Sequence, residues 1–483
     1  MGRLAEARQF EKEHEISADK RPFFHLTPRT GWMNDPNGFS YFGGSVHLFY
    51  EYYPYRTGWG DMYWGHVRTR DLIRWEYLPA AMAPDTPYES GCFSGTAIED
   101  KNLGHVLLYT AHQNHSDGSV TEEQCVAASS DGIEYKKLFD GPVIKTEDLP
   151  SIIRSSDFRD PKLWKDENGY HAILVGMQQD SKGAVLQYDS NDLEHWNYGG
   201  MVLEGSEVYG GMQECPDLFR LGDKDILILN AMNQAEPAED CNIHGHETYA
   251  LIGSYDSKNK SFNPLSRQIL DYGVDFYAPQ TTVLPDGRRV LIAWMNSWEN
   301  LLSPENTGWA GMMCIPREIT MKNGHVCQAP VREIENYEKN TFSKELTISG
   351  KRVTVPELRG RVQDLRIHIS GNGFHHFTVN LAENEQYVTC LTYDCDKNCL
   401  TLDRSRAGMP EDKIPVRYVK LPERNDELDI RILMDRFSIE VFALDGRVTI
   451  SDAVFTPQDA DGVSFETDGM AQVDIKDGKL IIP

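Results

Sequence analysis

Three short phrases place an acid one or two residues ahead of a proline: Asn34-Asp35-Pro36-Asn37-Gly38, Asp157-Phe158-Arg159-Asp160-Pro161 and Gln213-Glu214-Cys215-Pro216-Asp217. Proline drives the residue before it into extended or turn conformations, and Asn37-Gly38 is a strong turn signal. Asp35 is therefore held on stiff, non-helical backbone, with Trp32 as a flat apolar surface three residues upstream. A carboxylate beside an aromatic ring suits a site that grips a sugar and attacks it. Cleaving a glycosidic bond takes one carboxylate to attack the anomeric carbon and one acid to protonate the leaving oxygen. A further anion can steady the oxocarbenium-like charge or hold the sugar hydroxyls. Arg159 beside Asp160 is expected to keep that acid ionised by charge pairing. The general acid must instead stay protonated near neutral pH. Glu214 fits best, with the longest side chain and the weakly polar Cys215 next to it. Singly, each acid also reads as a turn cap, an ion pair or a solvated strand end.

Their spacing changes that. Asp71, Asp131 and Asp192 each stand four residues before an aromatic (Trp75, Tyr135, Trp196), and a weaker copy runs from Asp256 to Phe262. Alongside run the openings Asp35-Pro36, Ser94-Gly95, Asp160-Pro161, Cys215-Pro216 and Ala278-Pro279, each followed by strand-like stretches such as Val46–Tyr50 and Ala172–Val175. Five units of about 60 residues, each with about four short strands, describe a five-bladed β-propeller. The innermost strands of a propeller converge on one axis, so acids far apart in sequence become neighbours. No amphipathic helix recurs between the strands, which argues against a βαβ architecture.

All nine tryptophans precede residue 310. Beyond it, strict alternation in Leu365–Ile369, Leu428–Ile432 and Ile439–Phe442 predicts a C-terminal β-sandwich. The expected organisation is all-β: an N-terminal helical extension over 1–24, the propeller over 25–335, a polar linker over 336–349 and the sandwich over 350–483. The sandwich is read as a stabilising or oligomerising module without chemistry.

A chain of 483 residues is too long for one ordinary core. Its 40% apolar and 25% charged content is that of a soluble globular protein. A formal charge of −26 argues against nucleic acid and anionic membrane surfaces as partners. The charged N-terminus has no apolar core like that of a secretory signal. Nine scattered cysteines fit a reduced compartment, so a cytoplasmic location is expected. Cys241, His244 and His246 lie close together, as do Cys395 and Cys399, but neither set completes a zinc pattern.

At these acids the chain resembles glycoside hydrolase family 32, the β-fructofuranosidases. The likeness is carried by Trp32–Gly38, Trp64-Gly65-His66, Phe93-Ser94-Gly95, Phe158–Pro161, Glu214–Asp217, Asp275–Ala278, Ile292–Met295 and Pro316-Arg317-Glu318, with an echo at Asp435–Phe442. The resemblance implies a propeller followed by a sandwich and a retaining double displacement. It also implies Asp35 as nucleophile, Glu214 as acid/base and Asp160 as transition-state stabiliser. Asn34, Ser94, Arg159 and Cys215 would complete the polar pocket, with Tyr277 nearby; Trp32, Trp59, Phe93 and Trp294 would supply apolar walls. No metal or organic cofactor is implied. The expected partner is a small fructoside: sucrose, sucrose 6-phosphate or a short fructo-oligosaccharide. Self-association into a homo-oligomer stays open.

One position departs from the family. Phe49-Tyr50-Glu51 stands where a Phe-Tyr-Gln phrase is usual, and Tyr53 follows where some relatives carry Asn. Glu51 adds a carboxyl and removes an amide donor near the nucleophile. That leaves open a fructosyltransferase of the same fold, or a non-catalytic fructoside-binding protein. An inverting propeller glycosidase would need its carboxyls farther apart.

Overall fold

Each of the five opening phrases lies on the innermost of four antiparallel strands that make a propeller blade in the computed structural model, which describes residues 2–205, 211–234, 240–243, 245–422 and 427–482; Trp309–Ala310 adds a parallel strand to the first sheet and Met312–Met313 a short strand to the fifth. His244 lies outside these. The first blade comprises Gly31–Phe42, Ser45–Tyr53, Tyr63–Thr69 and Glu76–Met82. The inner strands of the other four blades are Gly91–Asp100, Ile153–Asp166, Gln213–Leu221 and Tyr277–Val283. Each inner strand packs on the next, and the fifth returns to the first. The ring is closed.

Every inner strand is bulged at its opening phrase. Two residues, Asn34 and Asp35, stand opposite the single residue Glu51. Ser94 is the extra residue in the second blade, and the prolyl pairs Asp160-Pro161, Cys215-Pro216 and Ala278-Pro279 occupy the bulge in the other three. A proline has no ladder N–H to lose, so a bulge on a strand at the edge of its sheet is where it is tolerated. Asp160, Cys215 and Ala278 adopt the left-handed region, with φ of 62°, 47° and 53°. For an L-residue this conformation persists only where its surroundings impose it. Here the bulge turns the side chain towards the axis.

The repeated aspartates have a different task. Each turns the chain between the third and fourth strands of its blade. Asp71 accepts the N–H groups of Ile73 and Arg74, Asp131 those of Ile133 and Glu134, Asp192 those of Glu194 and His195, and Asp256 those of Lys258 and Asn259. An Asx side chain that mimics a backbone turn explains the recurrence of this residue type.

Two six-stranded sheets form the C-terminal sandwich around an apolar core. The stretch 336–349, expected to be a linker, belongs to the sandwich. Glu338–Ser349 is instead a strand at the edge of one sheet, paired with Met470–Leu480. Its sequence reads as a connector because most of its side chains face solvent. At the N-terminus, the helix Arg3–Glu13 lies against the first blade, with Arg8 Nε donating to Ala80 O at 2.9 Å.

A buried polar seam joins propeller to sandwich. Arg317 lies between Asp271 of the propeller, at 2.9 Å, and Glu440 of the sandwich, at 2.5 Å. His25 contacts Asp435 and Glu440, both at 2.8 Å. Arg404 reaches back from the sandwich to Asp275. Several phrases that carry the family likeness therefore lie in this seam rather than in the cavity.

Candidate active site

The bulges deliver Asp35, Asp160 and Glu214 to one cavity of about 580 Å³ at the end of the propeller axis, a volume suited to a small ligand. All its described lining residues belong to the propeller. Asn34, Glu51, Trp59, Phe93, Ser94 and Arg159 also line it, as expected from the sequence.

Asp35 is held by three donors. Ser94 Oγ reaches its Oδ2 at 3.0 Å, Asn34 Nδ2 its Oδ1 at 3.3 Å, and Cys215 Sγ its Oδ2 at 3.4 Å. The amide of Asn34 is oriented by Trp32, whose indole N–H donates to Asn34 Oδ1 at 2.8 Å. Burial and the neighbouring Glu214 push Asp35 up to about 6, against the lowering effect of its donors. Asp160 accepts the backbone N–H of Cys215 at 2.9 Å, and its own N–H donates to Thr110. Glu214 is gripped at both oxygens, by Arg159 Nη2 at 2.9 Å and by the Tyr277 hydroxyl at 2.6 Å. Asn230 braces the same bulge by donating to the carbonyls of Glu214 and Cys215.

The expected pairing of Arg159 with Asp160 is present but long, and it does not keep that acid in the usual carboxylate range. The guanidinium is nearest Glu214, lies 3.3 Å from Glu122, and stands 3.9 Å from Asp160. Burial, Glu214 and Asp35 together outweigh it, and Asp160 is pushed up to about 8. Positive charge on a bound sugar ring opposes that shift, because an opposite charge favours the ionised carboxylate.

Four expected site residues do not line the cavity. Cys215 lies beneath Asp35 and Asp160, and Tyr277 stands behind Glu214. Trp32 and Trp294, expected as walls, are buried and pack on one another with ring centroids 6.0 Å apart. They stiffen the floor instead. The aromatic surface comes from Trp59, 47% exposed, with Phe93 and Trp298.

Sequence reasoning missed Trp298, His112, Val120, Glu122, Ser156, Asp157, Met232 and His246. Glu122 matters most among these. It accepts from Phe158 N at 3.1 Å and from Arg159, which fixes the segment before Asp160. Trp298 had a signal in its closeness to Trp294, and Asp157 in its place in the phrase that carries Asp160.

A model described as the glycosyl hydrolases family 32 N-terminal domain matches residues 25–330, and its C-terminal counterpart matches 331–480. A sucrose-6-phosphate hydrolase of Zymomonas mobilis is 35% identical, covering 95% of this chain and 92% of the relative. A raffinose invertase of Escherichia coli is 31% identical, covering 92% and 91%. The solved GH32 beta-fructofuranosidase of Bombyx mori superposes with a TM-score of 0.85 at 31% identity, covering 99% of this chain and 98% of that one. A mutant of that enzyme in complex with sucrose gives 0.84.

Proposed function

This chain belongs to glycosyl hydrolase family 32 and cleaves sucrose and related fructosides, and we propose that it does so by a retaining double displacement carried by Asp35, Glu214 and Asp160. Asp35 attacks the anomeric carbon of the terminal β-fructofuranosyl unit. Glu214 protonates the leaving oxygen, and the same group later activates water against the fructosyl-enzyme. Asp160 holds fructose hydroxyls and faces the charge that develops on the ring. The convergence of these three acids on one sugar-sized cavity carries the reading. Arg159 and Tyr277 orient Glu214 for proton transfer without themselves reacting.

The leaving-group side is read as selecting an uncharged sugar. Six carboxyl groups line the cavity (Asp35, Glu51, Glu122, Asp157, Asp160 and Glu214). Among the described lining residues the only guanidinium is Arg159, already engaged by Glu214 and Glu122, and no lysine is present. Arg56, near the mouth, donates to Trp59 O and lies over the Tyr53 ring. A phosphate dianion meets net repulsion there. Exposed Trp59 offers an apolar face to a neutral glucosyl unit.

The test is fructose release from sucrose, sucrose 6-phosphate, 1-kestose and inulin by one preparation. The expected order places sucrose and kestose first, with added salt narrowing the gap to the phosphorylated sugar by screening. A preference for sucrose 6-phosphate overturns the neutral-substrate reading and leaves the chemistry standing. The cytoplasm is the proposed location, which suits small imported substrates; no described helix is long and apolar enough to cross a membrane.

A further inference from the structure

Among the described residues, Glu51 is the one ionisable residue that opposes an inner-strand bulge at an opening phrase. At the corresponding place in the third, fourth and fifth blades stand Leu174, Leu229 and Ala293, all buried and apolar. In the first blade the residue facing Asn34 and Asp35 is a glutamate, 5% exposed. It reaches into the same hydrogen-bond set as Asp35. Asn34 Nδ2 lies 2.5 Å from Glu51 Oε2, and Ser94 Oγ lies 3.3 Å from Glu51 Oε1.

Counting protons decides what this set can be. The Asn34 amide has two N–H groups, and Asp35 and Glu51 take one each. Its orientation is settled by Trp32, whose indole can only donate. Ser94 has a single hydroxyl proton but two carboxyl oxygens in reach. If both acids were ionised, one oxygen would face Ser94 without a proton between them, and two like charges would share a buried pocket. A proton on Glu51 Oε1 removes both conflicts: Glu51 donates to Ser94, and Ser94 donates to Asp35.

Resting on the reading of Asp35 as the nucleophile, we propose that Glu51 is a positioning residue that stays a neutral carboxylic acid and, through Ser94, holds Asp35 as the attacking anion. No net proton transfer is involved; the chain Glu51 O–H, Ser94 O–H, Asp35 fixes which acid keeps the proton. Burial and the charge of Asp35 shift Glu51 in the direction this requires, well above the usual carboxylate range. Across the cavity Glu51 faces Asp160, Glu214, Glu122 and Asp157, with Arg159 and, when protonated, His112 and His246 as the cations. The surroundings are predominantly anionic, which also keeps the proton on Glu51.

Glu51→Gln tests this. A glutamine can accept from Asn34 and donate to Ser94 but cannot titrate. The acidic limb of kcat/KM against pH is expected to stay within about 0.3 units of wild type and turnover near neutral pH to persist, because one neutral donor replaces another. Glu51→Leu, which fills the space without donating, is expected to lose at least about tenfold in kcat/KM. If Glu51 is ionised in the native protein, Glu51→Gln instead removes a charge beside Asp35 and lowers the acidic limb by about one unit or more; that result, or equal activity of the Leu variant, overturns the proposal. The infrared difference spectrum between wild type and Glu51→Gln near neutral pH gives a second readout. The carbonyl stretch of a protonated carboxyl is expected in the wild type and lost in the variant, and its absence from the wild type overturns the proposal. That band reports the Glu51 proton whether or not sucrose is turned over, which separates failure here from failure of the nucleophile assignment.

Discussion

Arg159 Nη2 stands 2.9 Å from Glu214 Oε1, across 55 residues of chain and two blades. The guanidinium carried next to one acid thus serves the other. With Tyr277 on the second oxygen, Glu214 cannot swing freely, and its orientation is set before a substrate arrives.

Glu214→Ala is expected to lower kcat by about 10²–10⁴-fold, the range for losing a positioned general acid. The loss should shrink with a fructoside whose leaving group departs without protonation. Comparing sucrose with an aryl fructoside checks this; an equal loss on both would assign Glu214 another role.

Asp35 must be ionised to attack, and burial beside Glu214 lifts it to about 6. The value of kcat/KM should therefore fall as the pH drops through about 6. Ser94→Ala removes a donor to the ionised form, which raises the pKa and moves that limb upward by about one unit. A pH–rate profile of both proteins measures the shift. Movement downward would contradict the hydrogen-bond arrangement.

Trp59 is the most exposed aromatic of the cavity, so its contact is with the sugar rather than the reacting atoms. Trp59→Ala should raise KM for sucrose about five- to tenfold while leaving kcat within about twofold, the pattern of lost uniform binding. Steady-state kinetics decide it. A fall confined to kcat would place the indole nearer the chemistry.

The seam between propeller and sandwich should weaken in alkali. Although burial opposes it, hydrogen bonds and charge from Asp435 and Glu440 raise His25 to about 9. A pKa raised on folding stabilises fully below the unfolded value of 6.5 and is lost as pH rises through about 9. Urea midpoints measured across that window should decline, and His25→Gln should remove most of this dependence. Arg317→Ala leaves Asp271 buried without its cation and Glu440 with His25 alone, and is expected to cost about 3–5 kcal/mol, read from the same unfolding curves.

The sequence by itself determined the five opening phrases and the repeat that brings them together. An acid next to a proline cannot continue a helix or a regular strand, and an aspartate that accepts the N–H groups two and three residues on turns the chain by itself. Both are local chain chemistry, so Asp35, Asp160, Glu214 and the five-fold spacing were legible without coordinates. The stretch 338–349 was misread because an edge strand with most side chains in solvent has the composition of a connector. Only the tertiary structure decided that Arg159 serves Glu214, that Glu122 stands beside it, that Trp32 and Trp294 lie under the floor, and that Glu51 shares Ser94 with Asp35. Those relationships join residues on different strands and blades. Alternation along a strand fixes which face a side chain takes, but how deep it lies and which charge it meets depend on how the blades close around the axis.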